Sequence, residues 1–199
     1  MKFVELGKHL RKLRHEATGR SPLAAMSAME VWQAAIRCPD NGISTIYYNE
    51  TRLPAPLLGT FVRLRGPQKG ADIAYIYVHR PHHQSPKRRL APHWKEFVII
   101  KELMHCWSPE ATYTDTSAKA AELLTTLNTP SGPFGAMAVA DYMALLAAAE
   151  VIMPCDLIQE KLAAGKDANQ LAHEQGLHPE VMAYICRHDI LGQRVNGSL

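Results

Sequence analysis

The segment His93-Trp-Lys-Glu-Phe-Val-Ile-Ile-Lys-Glu-Leu-Met-His-Cys-Trp107 constrains this chain more than any other. Placed on a helix at about 100° per residue, Trp94, Phe97, Val98, Lys101, Met104 and His105 share one face. Ile99, Ile100, Leu103, Cys106 and Trp107 cover the opposite side. A helix that is apolar nearly all round has to be buried, so other elements must cover it. Three polar residues interrupt its second half: Lys101, Glu102 and His105. Burying such groups unpaired costs roughly 2–7 kcal/mol for a neutral polar group and more for a charge. They must therefore find partners or face a cleft.

The covering elements are legible on either side. Phe3, Leu6, Leu10 and Leu13 recur at helical spacing, and a second helix is expected near Leu23–Arg37, closed by Pro39 and Gly42. Three strand-like runs follow, Ile43–Asn49, Leu58–Arg65 and Ala71–Val78. The last alternates Ile73, Tyr75 and Tyr77 with Ala74, Ile76 and Val78. Gly66-Pro67 and Gly70 mark a turn, so the last two runs are expected to form a hairpin. After a basic loop, His79 to His93, the expectation is helical throughout: Pro92–Trp107, Ser117–Leu127, Phe134–Met153, and three shorter helices near Cys155–Ala164, Ala168–Gln175 and Pro179–His188. This order predicts an α+β fold in which a small antiparallel sheet packs on helices. Residues 1–154 would form the main domain, and 155–199 a helical tail packed on it.

Composition excludes several classes. Hydrophobic residues make up 47% and charged residues 21%, as in an ordinary globular protein. The longest apolar stretch, Met143 to Pro154, is broken by Glu150 and is too short to span a bilayer. The start carries charges throughout and no apolar leader, so a cytoplasmic protein without membrane association is expected. Cys38, Cys106, Cys155 and Cys186 lie far apart and read as reduced, buried thiols. A net charge of +3 does not by itself imply nucleic acid.

The chemistry lies in Lys101-Glu102-Leu103-Met104-His105. This is H-E-x-x-H with its first histidine replaced by lysine. In the intact motif two imidazoles at i and i+4 grip one zinc ion, and the Glu between them is the general base. His105 could still ligate and Glu102 could still act as a base, but an ammonium has no lone pair. From the segment alone, a solvated Lys–Glu edge beside one core histidine is the competing reading.

The segment is similar to the motif helix of the ImmA/IrrE family of zinc metallopeptidases. In that family a small twisted sheet precedes the motif. A later helix then ends in a small-residue-rich stretch and a Met-Pro, as Ala147-Ala-Ala-Glu-Val-Ile-Met-Pro154 does here. A helix-turn-helix-like segment often follows, and Asn169-Gln-Leu-Ala172-His-Glu-Gln-Gly176-Leu fits its turn. The resemblance covers roughly Ile43 to Leu191. It implies that Lys101 stands at the first zinc histidine, Glu102 at the catalytic glutamate and His105 at the second histidine. Counting back from Pro154 puts the third ligand, a glutamate in the family, at Met143. The nearest acid, Asp141, is then about 200° round the helix. By this count two of three zinc ligands are absent.

The resemblance thus implies a zinc-deficient relative, with no cofactor, that binds a partner protein such as a helix-turn-helix repressor of a phage or mobile element. An active metallo-endopeptidase with a non-standard zinc site, cleaving such a repressor, is the alternative. Lys101 would need an acidic partner, with Glu102, Asp141 and Glu150 as candidates. The loop histidines His79, His82, His83 and His93 and the basic run Lys87-Arg88-Arg89 read as solvated. Cys106 points about 100° away from His105 and reads as an inert thiol. Direct DNA binding is not expected, because Pro179–His188 carries its basic residues only near its end.

Overall fold

A computed structural model describes residues 3–54, 57–68, 70–80, 92–108, 121 and 136–196. Helices α1 (Phe3–Thr18) and α2 (Ala28–Arg37) lead into strands β1 (Ile43–Thr51), β2 (Gly59–Leu64) and β3 (Asp72–His79). Then come α3 (Pro92–Met104) and α4 (Ala136–Ile152), followed by α5 (Cys155–Ala163), α6 (Ala168–Gln175), α7 (Pro179–Ile185) and α8 (His188–Asn196). The α+β architecture is the expected one. The helix expected at Ser117–Leu127 lies outside the described residues, apart from Ala121, which is helical.

The sheet is mixed and not antiparallel as expected. Its order is β1-β3-β2, with β3 antiparallel to β2 and parallel to β1. The chain reverses twice between β1 and β3, which restores the direction, and β3 inserts between its predecessors. The insertion suits β3, which has apolar side chains on both faces. Ala74, Ile76 and Val78 are wholly buried beneath the helices. On the other face Tyr75 stacks on Tyr47 with ring centroids 5.2 Å apart.

The second helix begins at Ala28, five residues later than periodicity suggests. Ser27 caps it: its hydroxyl accepts from the Glu30 amide while the Glu30 carboxylate accepts from the Ser27 amide. The expected last helix breaks after Ile185, and α8 follows as a separate element.

Helix α4 is apolar all round and lies at the centre. Its alanines Ala147, Ala148 and Ala149 are fully buried and admit close neighbours. Against α1 the approach is close at Gly7, where a Cβ would fall 2.6 Å from Glu150 Cγ. Glu150 is itself buried, and Arg11 Nη2 of α1 donates to its Oε1 at 2.9 Å. Arg194 Nη2 of α8 donates to its Oε2 at 2.7 Å, and the Cys155 amide donates there at 3.0 Å. Arg11 and Arg194 also donate to the Glu150 and Met153 carbonyls. The tail shares one core with the rest, through Leu171, Val181, Met182, Ile185 and Ile190. Tyr184 meets Trp94 and Phe97 of α3 edge-on, at 5.4 and 5.8 Å. No helix among the described residues is long and apolar enough to cross a membrane.

Replacing Glu150 by Gln leaves two buried guanidiniums without an anion. We expect a loss of about 3–5 kcal/mol in urea unfolding, the cost of breaking a buried ion pair. Lys8→Ala, which removes only the exposed pair with Glu5 at 4.0 Å, should change stability by less than about 1 kcal/mol. Equal effects of the two substitutions would contradict the assignment of Glu150 as the anchor.

Candidate functional site

The second half of α3 faces β2 and α4, and its polar residues meet there. The helix tightens into a 3-10 turn over His105–Trp107, which keeps His105 beside Lys101 and Glu102. Lys101 Nζ lies 2.9 Å from Glu102 Oε1 and 2.5 Å from Asp141 Oδ1, the latter on α4. His105 Nε2 lies 3.5 Å from the same Asp141 oxygen and 3.9 Å from Glu102 Oε2. A neutral ring with its proton on Nε2 aims it at Asp141, and Nδ1 then accepts from the Ser108 hydroxyl at 3.3 Å. The Phe61 ring of β2 stacks on the imidazole, with centroids 5.7 Å apart.

Burial separates this cluster from a solvated edge. The Glu102 side chain is 1% exposed, Lys101 14% and His105 11%. Asp141, at 29%, is the group nearest to solvent. Gly59 makes room for the carboxylate: a Cβ there would fall 2.6 Å from both Glu102 Oε1 and Val98 Cγ1. Any larger residue here would force Glu102 and Val98 to shift.

The charges hold one another in place. Burial alone would pull the Lys101 pKa down, but the charges of Glu102 and then Asp141 outweigh it and raise it above the ordinary lysine range. Burial would push the Asp141 carboxyl up. The hydrogen bond from His105 and the charge of Lys101 outweigh that and hold it well below the ordinary carboxylate range. The site is thus an ammonium shared by two carboxylates, with an imidazole at its edge.

No family model, curated protein or solved structure matches the chain. Its reading rests on its own residues.

Of the expected site residues, Lys101, Glu102, His105 and Asp141 come together. Glu150 does not join them, since Arg11 and Arg194 occupy it elsewhere on α4. Met143, taken as the position of the third ligand, lies about 200° round α4 from Asp141. The acid facing Lys101 and His105 is Asp141. Asp141 was among the acids expected to partner Lys101, and it does so. Sequence reasoning missed Gly59, Phe61 and Ser108. Ser108, three residues beyond His105, carried the one local signal.

With Lys101 in place the donor set does not fit a catalytic zinc ion. Glu102, His105 and Asp141 each offer one ligand atom within 4.8 Å of the others. The Lys101 ammonium, however, already takes up both carboxylates, and its raised pKa keeps it from becoming a ligand. Cys106 is no nucleophile either, since burial pushes its thiol up to about 12. Of the loop histidines, His82 and His83 lie outside the described residues, as does the Lys87-Arg88-Arg89 run. His79 Nδ1 accepts from the Leu53 amide at 3.2 Å.

Lys101→Met would leave two facing carboxylates without their cation. We expect a loss of about 3 kcal/mol at neutral pH, the low end for a buried pair because Asp141 is partly wet. Asp141→Asn tests the sign. A carboxyl with a depressed folded pKa contributes stability above its unfolded pKa and loses it as pH falls toward the folded value. The gap between wild type and Asp141→Asn should therefore be full at pH 7 and shrink once pH drops below about 4. Urea unfolding at pH 7, 5, 4 and 3 measures it, and a gap that stays constant would show Asp141 to be uninvolved.

Proposed function

We propose that this chain is a relative of the ImmA/IrrE metallopeptidases in which an ammonium has taken the place of the metal. It works by holding a protein partner, of the helix-turn-helix repressor kind, in the control of a phage or other mobile element. The observation that carries this reading is Lys101 Nζ, 2.5 Å from Asp141 and 2.9 Å from Glu102 and beside His105. A dication in an intact motif would sit among the same groups. Asp141 on a later helix supplies the acid that the resemblance requires.

Strand β2 supports a peptide-binding role. It is an edge of the described sheet and carries Gly59 and Phe61, the two residues packed on the cluster. An extended segment of the partner would add along that edge by main-chain hydrogen bonds. Direct reading of DNA by the tail has little support. Helix α7 buries Val181, Met182 and Ile185, and the basic group after it, Arg187, is paired with Asp189 at 2.7 Å.

A working metallo-endopeptidase is the second reading. It is kept because Glu102, His105 and Asp141 remain close enough to share an ion if Lys101 swung away. Glu102 would then be the base. A repressor encoded beside this chain decides between the two. The first reading expects a stable complex with an intact repressor. Zinc-dependent cleavage abolished by Glu102→Gln would replace it with the second.

The metal-for-ammonium exchange has its own test. In Lys101→His an imidazole would stand one turn from His105, opposite Asp141, which completes a donor set suited to zinc. We expect this variant to bind one zinc ion more than wild type, at least tenfold more tightly than any zinc bound there by wild type. Adding Asp141→Asn should remove the gain. A folded Lys101→His protein with no added zinc would sink the correspondence between Lys101 and the lost ligand.

A further inference from the structure

At the other end of α3 a second group of donor side chains joins the helix to the tail. His93, in the first turn of α3, stacks face to face with His178, with ring centroids 3.5 Å apart and planes 5° from parallel. Glu180 Oε2 lies 2.9 Å from His93 Nε2 and accepts from Trp94 Nε1 at 3.3 Å. His178 caps α7, its Nδ1 accepting a long bond from the Glu180 amide at 3.3 Å. His93 is one-fifth exposed and Glu180 two-thirds exposed, so solvent reaches the group.

We propose that His93, His178 and Glu180 form a surface site for a divalent transition-metal ion, which clips α7 to the start of α3. The site is separate from the Lys101 cluster and does not depend on the functional reading of it.

Each of the three residues offers one ligand atom, and these atoms lie within 4.8 Å of one another. A tetrahedral zinc ion has arms of about 2.0–2.1 Å to nitrogen and oxygen, which spaces its ligand atoms roughly 3.4 Å apart. The required closure is therefore on the order of an ångström, and the exposed side chains of His178 and Glu180 can supply it. Parallel rings point their in-plane lone pairs side by side, so the ion must draw one ring out of the stack. His178 is the ring free to move, and it would turn its Nδ1 lone pair from the Glu180 amide to the ion. His93 Nε2 and a Glu180 oxygen complete a two-imidazole, one-carboxylate set with a fourth position for water. Without a thiolate, such a set suits zinc, copper or nickel rather than a soft-metal site. The Trp94 indole holds the carboxylate in place, as outer hydrogen bonds do around metal ligands.

The ion would bridge two segments far apart in sequence. Tyr184, one turn further along α7, already packs on Trp94 and Phe97. A metal at their ends would fix that contact, and it would stabilise the folded chain in proportion to its occupancy.

The test uses the full chain, stripped with EDTA, and zinc chloride as the probe. Titration calorimetry should show one zinc ion per chain, bound at micromolar concentration, with a rise in Tm. Cobalt(II) should give the visible bands of a four-coordinate ion. His178→Ala and Glu180→Gln, both at exposed positions, should each weaken zinc binding at least tenfold and abolish the rise in Tm. Asp141→Asn, in the inner cluster, should leave the binding unchanged. Either of two results overturns the proposal. One is no binding by wild type at micromolar zinc. The other is binding that survives in both His178→Ala and Glu180→Gln, which would place the ion elsewhere in the chain.

Discussion

Glu150, on α4, is an anion buried where four of the described helices come together. Arg11 reaches it from α1, Arg194 from α8, and the amide of Cys155 from the start of α5. A carboxylate out of water is costly alone, and these donors offset the cost by satisfying both its oxygens. The arrangement also fixes direction. Hydrophobic contact alone would let the alanine face of α4 slide or rotate against α1, whereas two guanidiniums on one carboxylate set a single register. That register aims Asp141, about two and a half turns earlier on the same helix, at Lys101.

Helix α3 is the second organising element, and its two ends do different things. Its start is at the surface, where His93 and Trp94 meet the tail. Its end is buried, where Lys101, Glu102 and His105 meet β2 and α4. Between them Phe97, Val98, Ile100 and Leu103 belong to the core and hold both ends to one rigid rod. The polar residues of the buried end are tolerated because they satisfy one another. One ammonium lies between two carboxylates, and the imidazole shares an oxygen with it.

Much of this was legible in the sequence. Alternation and β-branched or aromatic content marked the three strands, and the apolar rows marked α1 and placed α3 and α4 to within a few residues. The demand that Lys101, Glu102 and His105 find partners followed from burial alone. What escaped depended on information that is not local. The parallel pairing of β1 and β3 is a matter of which strand ends up in the middle, and alternation says nothing of that. The separate helix α8 has a weak apolar pattern and is held by the buried ion pair of Arg194. Asp141 was legible as one of three acids that could pair with Lys101; that it does so depends on which face of α4 turns toward α3, and spacing along the chain cannot tell that. The start of α2 was readable in Ser27-Ala-Met-Glu30, a capping signature that periodicity overrode.

An ion held by coordination comes and goes with its concentration, and the fold it supports inherits that dependence. The cation between Asp141 and Glu102 is attached to the backbone by four methylenes. It has no dissociation constant, cannot be chelated, and is present at the moment the chain is synthesised. Scarcity of metal in the surroundings cannot remove this charge. The charge that balances these two carboxylates is in this sense independent of any supply of metals.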